Sequence, residues 1–177
     1  ALAEALDQPP RHLLYVVRSY DELYVSAYRK WAEDNPVPPF AGLVPQFLGM
    51  NRGWPELVAE MRDILRPERL TVVDYGRRGT SRSLLASLAG LDEGSLSEPE
   101  EVVNLSATDA ALAELQRRYH ADEILDRDAW KAVLMHHADD RASQGIAEFD
   151  TEYATALRER YARDLDRIEA LEGVTMA

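Results

Sequence analysis

The stretch LLYVVRSYDE at residues 13–22 decides the fold class of this 177-residue chain. Its first half, residues 13–17, is apolar throughout, which is typical of a short β-strand buried on both faces of a parallel sheet. Its second half contains Ser19-Tyr20-Asp21-Glu22, which has the form of a capping box and predicts that a helix begins there. A buried strand that leads directly into a helix predicts an α/β protein.

A second strand–helix pair follows at residues 70–74 and 81–88 and is separated by a glycine-rich turn. Helical periodicity and breakers predict further helices over residues 1–7, 54–65, 106–120, 127–137 and 149–171, and an acidic loop over residues 91–103. Strands that alternate with helices imply a parallel sheet covered on both faces, here with a helix-rich C-terminal part. Because two strands make a poor sheet, we expect more strands to precede Ala1.

Two helices have a predicted buried face. Residues at four-residue spacing mark it in the helix that follows the first strand: Leu23, Ala27 and Trp31. A longer stripe marks it in the last helix: Tyr153, Leu157, Tyr161, Leu165 and Ile168. We expect both stripes to face the core.

Residues 35–53 contain four prolines and three glycines and predict a long irregular connection. Loops of this length are uncommon unless they serve as lids or binding loops. The segment is therefore a candidate lid over an acceptor substrate.

Composition limits the function. The apolar share of 46% and the charged share of 29% indicate a single globular domain, and no run approaches the ~20 apolar residues of a membrane-spanning helix. The net charge of −12 argues against nucleic acid as a partner. The absence of Cys excludes thiolate metal sites and fits a cytoplasmic location. Only Lys30 and Lys131 of the 20 basic residues are lysines, so phosphate binding would depend on arginine.

Arg18 follows the first strand directly, at the edge of the sheet where ligands collect in open parallel α/β folds. The next helix begins within one to three residues and directs its N–H groups to the same place. Ser26 lies two turns into that helix and adds a neutral donor. Arg18 and Ser26 therefore predict a small phosphate or sulfate site.

Residues 17–28, VRSYDELYVSAY, resemble the 3′-phosphate-binding segment of sulfotransferases that use 3′-phosphoadenosine 5′-phosphosulfate (PAPS). In that family an Arg ends a strand and a Ser follows eight residues later, and the pair grips the 3′-phosphate of the cofactor. Residues 65–75, the segment Asn104-Leu105-Ser106, and Tyr161 to Leu165 resemble later parts of bacterial members. The match is collinear over most of the chain.

The resemblance implies a three-layer parallel sheet like that of P-loop NTPases, in a single, N-terminally incomplete sulfotransferase-like domain over residues 1–177. It also implies that PAPS or adenosine 3′,5′-bisphosphate is the cofactor, with Arg18 and Ser26 on the 3′-phosphate and Tyr75 near the adenosine. The acceptor would be a small molecule or a glycan. No metal is required and no membrane partner is expected. A homo-oligomer is possible.

Several family features are missing from the sequence. A Lys-x-Gly-Thr-Thr-like 5′-phosphosulfate loop and the usual catalytic base would precede Ala1, so we assign no catalytic residue. The late Arg-Lys-Gly triplet is absent, and residues 141–145 are its nearest equivalent. The alternatives are therefore a catalytically inactive or truncated sulfotransferase-like binding module and, more weakly, a P-loop kinase of a small metabolite.

Two further motifs have simple structural interpretations. The turn at residues 76–81 faintly resembles a phosphate loop, but a surface turn with Thr80 or Ser81 as N-cap explains it. His136 and His137 are adjacent on a predicted helix and point about 100° apart, so they are not expected to share one metal ion.

Overall fold

A computed structural model describes residues 8–97 and 106–177 of the chain. Its strands and helices follow in the order β1 (His12–Val17), α1 (Tyr20–Asp34), α2 (Phe40–Leu48), α3 (Trp54–Leu65), β2 (Arg69–Asp74), α4 (Ser81–Ala89), α5 (Asp109–Tyr119), α6 (Arg127–His136), α7 (Thr151–Glu169) and β3 (Val174–Met176). A short 3-10 helix, Glu93–Ser95, follows α4. The predicted helix over residues 1–7 lies outside the described residues, as do residues 98–105, which include part of the predicted acidic loop and Asn104-Leu105.

The described residues form two compact units. The first unit comprises residues 8–20, 50–97 and 156–177, and the second comprises residues 21–49 and 106–155. The expectation of one domain over residues 1–177 stays a prediction. Within the described ranges no helix is long and apolar enough to cross a membrane.

The first unit contains the parallel sheet that the sequence predicts. β1 pairs with β2 from His12 opposite Arg69 to Val17 opposite Asp74, and β3 adds to the far side of β2. The third described strand therefore comes from the C-terminal end of the chain, where no strand is predicted. The α/β class is confirmed, whereas the likeness to P-loop NTPases stays a prediction.

The core of the first unit combines the sheet with α3 and the C-terminal part of α7. Its fully buried members are aliphatic: Val17, Val58, Leu70, Val72, Leu157 and Ile168. The stripe predicted for the last helix is partly wrong, because Tyr153 is exposed and the buried Asp164 belongs to the inner face.

The second unit packs α1, α2, α5 and α6 around an apolar core. Residues 35–53 are not the irregular connection that the prolines predict, because α2 occupies residues 40–48. Pro39 stands at the N-cap, where its missing N–H is tolerated. Phe40 and Val44 are buried in the core of this unit. The lid expectation is therefore not supported for α2, which packs as a core helix.

The predicted buried face of α1 is displaced by one residue. Trp31 is 50% exposed and Ala27 is also exposed, whereas the buried residues at four-residue spacing are Tyr20, Tyr24, Tyr28 and Ala32. Tyrosine brings a large ring into the core and needs an acceptor for its hydroxyl. The Tyr28 hydroxyl finds one within the second unit, because it donates to the carbonyl of Pro38 over 2.9 Å.

Candidate functional site

Arg18 lies at the carboxyl end of β1, as the sequence predicts. The indole Nε1 of Trp54, the first residue of α3, donates to the Arg18 carbonyl over 2.8 Å. Trp54 is itself buried against Tyr15 of β1, with ring centroids 5.9 Å apart. The main chain of Arg18 is therefore held by a buried side chain, which gives the guanidinium a fixed point of attachment.

Tyr75 lies beside Arg18 because the parallel register extends one residue past both strands. The Tyr75 N–H donates to the Val17 carbonyl over 2.8 Å. The Arg18 guanidinium carbon then lies 4.5 Å from the centroid of the Tyr75 ring, which is a cation–π contact. Two of the three predicted site residues are thus brought together at the carboxyl edge of the sheet.

Arg78 is a third member of this cluster. Its guanidinium carbon lies 4.0 Å from the centroid of the Tyr75 ring, and its Nη2 donates to the Tyr75 hydroxyl over 3.2 Å. We call Arg18, Tyr75 and Arg78 the arginine–tyrosine cluster.

The turn that carries Arg78 has the simple explanation predicted for it. The Gly76 N–H donates to Asp74 Oδ1 over 3.0 Å, and the Thr80 hydroxyl caps α4 by accepting from the Ser83 N–H over 3.0 Å. Gly79 has a φ of 66°, a conformation that favours glycine. The predicted N-cap at Thr80 is confirmed.

The hydroxyl of Tyr161, on α7, contacts the last residues of both β1 and β2. That hydroxyl donates to Asp74 Oδ1 over 2.8 Å and lies 3.2 Å from the Val17 carbonyl oxygen. Val17 directly precedes Arg18, and Asp74 directly precedes Tyr75. Tyr161 therefore acts as a positioning residue for the cluster. The sequence analysis gave it only as part of a core stripe and of a segment that resembles the family.

A second buried network connects Tyr20 to α3 and α7 within the first unit. The Tyr20 hydroxyl donates to Asp164 Oδ2 over 2.5 Å and accepts from the Trp54 N–H over 2.8 Å. Asp164 is only 5% exposed and is also paired with Arg167 over 3.0 Å. Burial, together with the hydrogen bond to Asp164, raises the pKa of Tyr20 well above its usual value. Tyr20 therefore stays a neutral donor at physiological pH.

Glu56 connects this network to the start of α3. Its Oε2 accepts from the Gly53 N–H over 2.8 Å and its Oε1 pairs with Arg167. The hydrogen bond from Arg167 and the one from the Gly53 main chain lower the pKa of Glu56 below its usual value. The carboxylate is thus charged at neutral pH and caps the helix.

We expect Glu56→Gln to reduce the free energy of unfolding by about 1 kcal/mol at pH 7, because it removes an ion pair and weakens a cap. A depressed folded-state pKa stabilises the protein above the unfolded-state value, and this contribution is lost as the pH falls through the folded-state value. The difference between the two proteins should therefore be full above about pH 5 and shrink toward pH 3. Urea unfolding over that range measures it.

The matched control is Glu60→Gln, also on α3, which removes an exposed ion pair with Arg52. It should change the free energy of unfolding by less than Glu56→Gln at pH 7. Equal effects of the two substitutions at every pH would contradict the capping role of Glu56.

Ser26, the third predicted site residue, lies on α1 in the second unit, and its side chain is exposed. Its shared binding of a phosphate with Arg18 stays a prediction. The described residues assign it no other role in packing.

Two cavities lie within the second unit. One, of about 310 Å³, is lined by Arg29, Asp109, Arg141 and Glu148 among others. Arg29 pairs with Asp109 and donates to the Ala107 carbonyl over 2.8 Å. Burial alone would raise the pKa of Asp109, but the bonds from Arg29 and from the Gln144 main chain lower it. Equal numbers of both charges line this cavity, so it does not select an anion.

The other cavity, of about 400 Å³, is mostly apolar. The polar side chains that line this cavity form hydrogen bonds that stabilise the second unit. Gln116 accepts from the Val37 N–H and donates to the carbonyls of Ala32 and Asn35 over 2.6 and 2.7 Å. His120 contacts the Val37 carbonyl over 3.2 Å. These groups stabilise the segment between α1 and α2.

The adjacent histidines do not share a ligand. The His137 Nε2 contacts Glu114 Oε2 over 2.8 Å, and its ring lies edge-on to that of His136. Residues 8–97 and 106–177 contain no cluster of three or more acidic or histidine side chains suited to a metal ion.

Comparison with known proteins gives no relative: no family model matches the chain, and neither a curated protein nor a solved structure matches it. The arginine–tyrosine cluster is the strongest functional feature of the described residues. It combines two guanidinium groups with an aromatic ring at the sheet edge where ligands bind in open α/β folds.

Proposed function

We propose that this chain forms the nucleotide-binding part of a PAPS-dependent sulfotransferase. The observation that carries the proposal is the contact between Arg18 and Tyr75 at the carboxyl edge of the sheet. An arginine fork suits phosphate oxygens, and a tyrosine ring suits a purine or a ribose. The resemblance of residues 17–28 to the 3′-phosphate-binding segment of that family assigns the phosphate to Arg18.

In the proposed reaction a hydroxyl or amine of the acceptor attacks the sulfur of PAPS in line. The new S–O or S–N bond forms as the bond between sulfur and the 5′-phosphate oxygen breaks. The acceptor loses its proton to a base, and adenosine 3′,5′-bisphosphate leaves. Arg18 contributes by positioning the nucleotide through its 3′-phosphate.

Ser26 is the proposed second ligand of the 3′-phosphate, and Tyr75 is the proposed neighbour of the adenosine. No residue of this chain is proposed as the catalytic base. The acceptor class stays a small molecule or a glycan.

The test is thermal unfolding of the complete gene product that contains this chain, titrated with adenosine 3′,5′-bisphosphate. A ligand at 100 times its Kd stabilises the folded state by about 2.7 kcal/mol, so we expect the Tm to rise by several degrees. Adenosine 5′-monophosphate is the control, because it lacks the 3′-phosphate that Arg18 is proposed to bind. It should shift the Tm much less at the same concentration.

No shift at saturating bisphosphate would overturn the proposal. Equal shifts with both nucleotides would remove the 3′-phosphate role of Arg18. A shift with the bisphosphate but no transfer of ³⁵S-sulfate from PAPS to hydroxyl or amine acceptors would favour the inactive binding module.

A further inference from the structure

Three arginines follow Tyr75 within seven residues, and the structure separates their roles. Arg77 is 85% exposed and its Nε lies 3.7 Å from Asp74 Oδ2. Arg82 lies on α4 with its Nε 3.5 Å from Glu93 Oε1. Each of these two arginines therefore has a carboxylate partner.

Arg78 differs from both neighbours. Its contacts with the described residues are the ring and the hydroxyl of Tyr75. No carboxylate among residues 8–97 and 106–177 forms an ion pair with it. The chain has 32 acidic and 20 basic residues, so carboxylate partners are abundant. Arg78 is therefore a half-buried guanidinium without a carboxylate partner among the described residues.

Stacking on an aromatic ring orients a guanidinium by its face and leaves its N–H edge available for oxygen ligands. Arg78 has five N–H donors, and among the described residues the Tyr75 hydroxyl is their only acceptor. Arg78 is thus oriented by Tyr75 and retains donors for an anion.

Arg18 and Arg78 contact the same ring, which keeps their guanidinium groups close together. The guanidinium carbons of Arg18 and Arg78 lie 4.5 and 4.0 Å from the same ring centroid, so they are at most 8.5 Å apart, the sum of the two distances. Guanidinium groups whose carbons lie within roughly 8 Å of each other can both reach one phosphate through N–H···O bonds of about 2.8 Å.

We propose that Arg78 is a second phosphate-binding residue, which shares with Arg18 the phosphate group of a nucleotide ligand. The nucleotide part of this inference rests on the proposed function, whereas the phosphate part rests on the cluster alone. Tyr75 then orients both guanidinium groups through its ring and one of them through its hydroxyl.

The experiment compares Arg78→Ala with Arg77→Ala in the complete gene product, using titration calorimetry. The two substitutions remove the same charge from adjacent residues of one turn. Arg78→Ala should weaken binding of adenosine 3′,5′-bisphosphate at least tenfold, and Arg77→Ala should change it less than threefold. Arg78→Lys, which keeps the charge without the planar fork, should give an intermediate affinity.

Two readouts separate a ligand role from a structural one. The affinity of Arg78→Ala should depend less steeply on salt concentration than that of the parent protein, because one ionic contact is lost. Its Tm without ligand should stay within a few degrees of the parent value, because Arg78 packs against one ring only. Inorganic tripolyphosphate serves as a second probe that has no base or ribose.

Each result has one meaning. Equal affinity of Arg78→Ala and the parent protein for the bisphosphate overturns the inference and leaves the proposed function intact. Binding of tripolyphosphate but not of the bisphosphate, with a tenfold loss in Arg78→Ala, overturns the proposed function and supports the inference. Binding of neither probe by the parent protein overturns both.

Discussion

Gly53→Ala should lower the free energy of unfolding by about 3 kcal/mol, through overpacking and the loss of a buried hydrogen bond. A Cβ atom at residue 53 would lie 2.5 Å from Asp164 Oδ2 and 2.6 Å from the Tyr20 hydroxyl oxygen. Both residues are buried, and a hydrogen bond joins the two oxygens, so displacing either oxygen weakens that hydrogen bond. Thermal unfolding should show a Tm lower by roughly 6–12 °C for a chain of this length.

Gly42→Ala is the matched control. Gly42 lies inside α2, and a Cβ there would meet nothing within 4 Å. Alanine is favoured over glycine in a helix by roughly 0.5–1 kcal/mol, so this substitution should raise the Tm slightly. A lower Tm for Gly53→Ala and a higher Tm for Gly42→Ala would show that steric crowding around residue 53 causes the loss of stability.

Tyr20→Phe tests the cause of the loss. It removes the hydroxyl that the new Cβ would meet, so Gly53→Ala in that background should cost less than in the parent protein. Residues in direct contact give non-additive effects of this kind. Additive losses in the double variant, or an unchanged Tm in Gly53→Ala alone, would contradict the network of Tyr20, Trp54 and Asp164.

The strands of the first unit were predictable because their burial leaves a direct pattern in the sequence. Residues 13–17 are apolar throughout, which is typical of a buried strand. The expected burial on both faces is reached only at Val17, because the other residues of β1 are partly exposed. Arg18 was predictable for the same reason, since it directly follows such a strand, whereas Tyr75 was indicated only by the resemblance to sulfotransferases. The parallel register then brings them together without further information. β3 was missed because a strand of three residues is too short to show a periodic pattern of apolar residues.

The errors in the second unit arise where packing overrides local propensity. Prolines predicted a loop over residues 35–53, yet Pro39 lies at the N-cap of α2 and the apolar face of this helix is buried. On α1 a stripe that includes Trp31 predicted the inner face, but three tyrosines occupy it instead. Propensity is a weak prior that tertiary contacts replace.

The polar supports of the site could not be predicted from periodicity. Asp164 lies on the inner face of α7, where a carboxylate is unexpected unless it has partners. Those partners, Tyr20 and Arg167, cannot be identified from spacing alone, because Tyr20 lies 144 residues away. The resemblance of Tyr161 to Leu165 to a family segment was the available signal. In the structure Tyr161 contacts the end of β1, and Asp164 accepts a hydrogen bond from Tyr20.

Arg18→Ala should weaken binding of adenosine 3′,5′-bisphosphate by about 2 kcal/mol, or roughly 30-fold, because it removes charge-assisted hydrogen bonds to the phosphate. Arg11→Ala is the control, since Arg11 is exposed at the opposite end of the same strand and carries the same charge. It should change the affinity by less than threefold. Calorimetric titration at two salt concentrations measures both.

Equal losses in the two variants would indicate a general effect of net charge, and unchanged affinity in Arg18→Ala would remove Arg18 from the site. A loss confined to Arg18→Ala and Arg78→Ala would locate the phosphate at the arginine–tyrosine cluster, where the two guanidinium groups and the ring of Tyr75 meet.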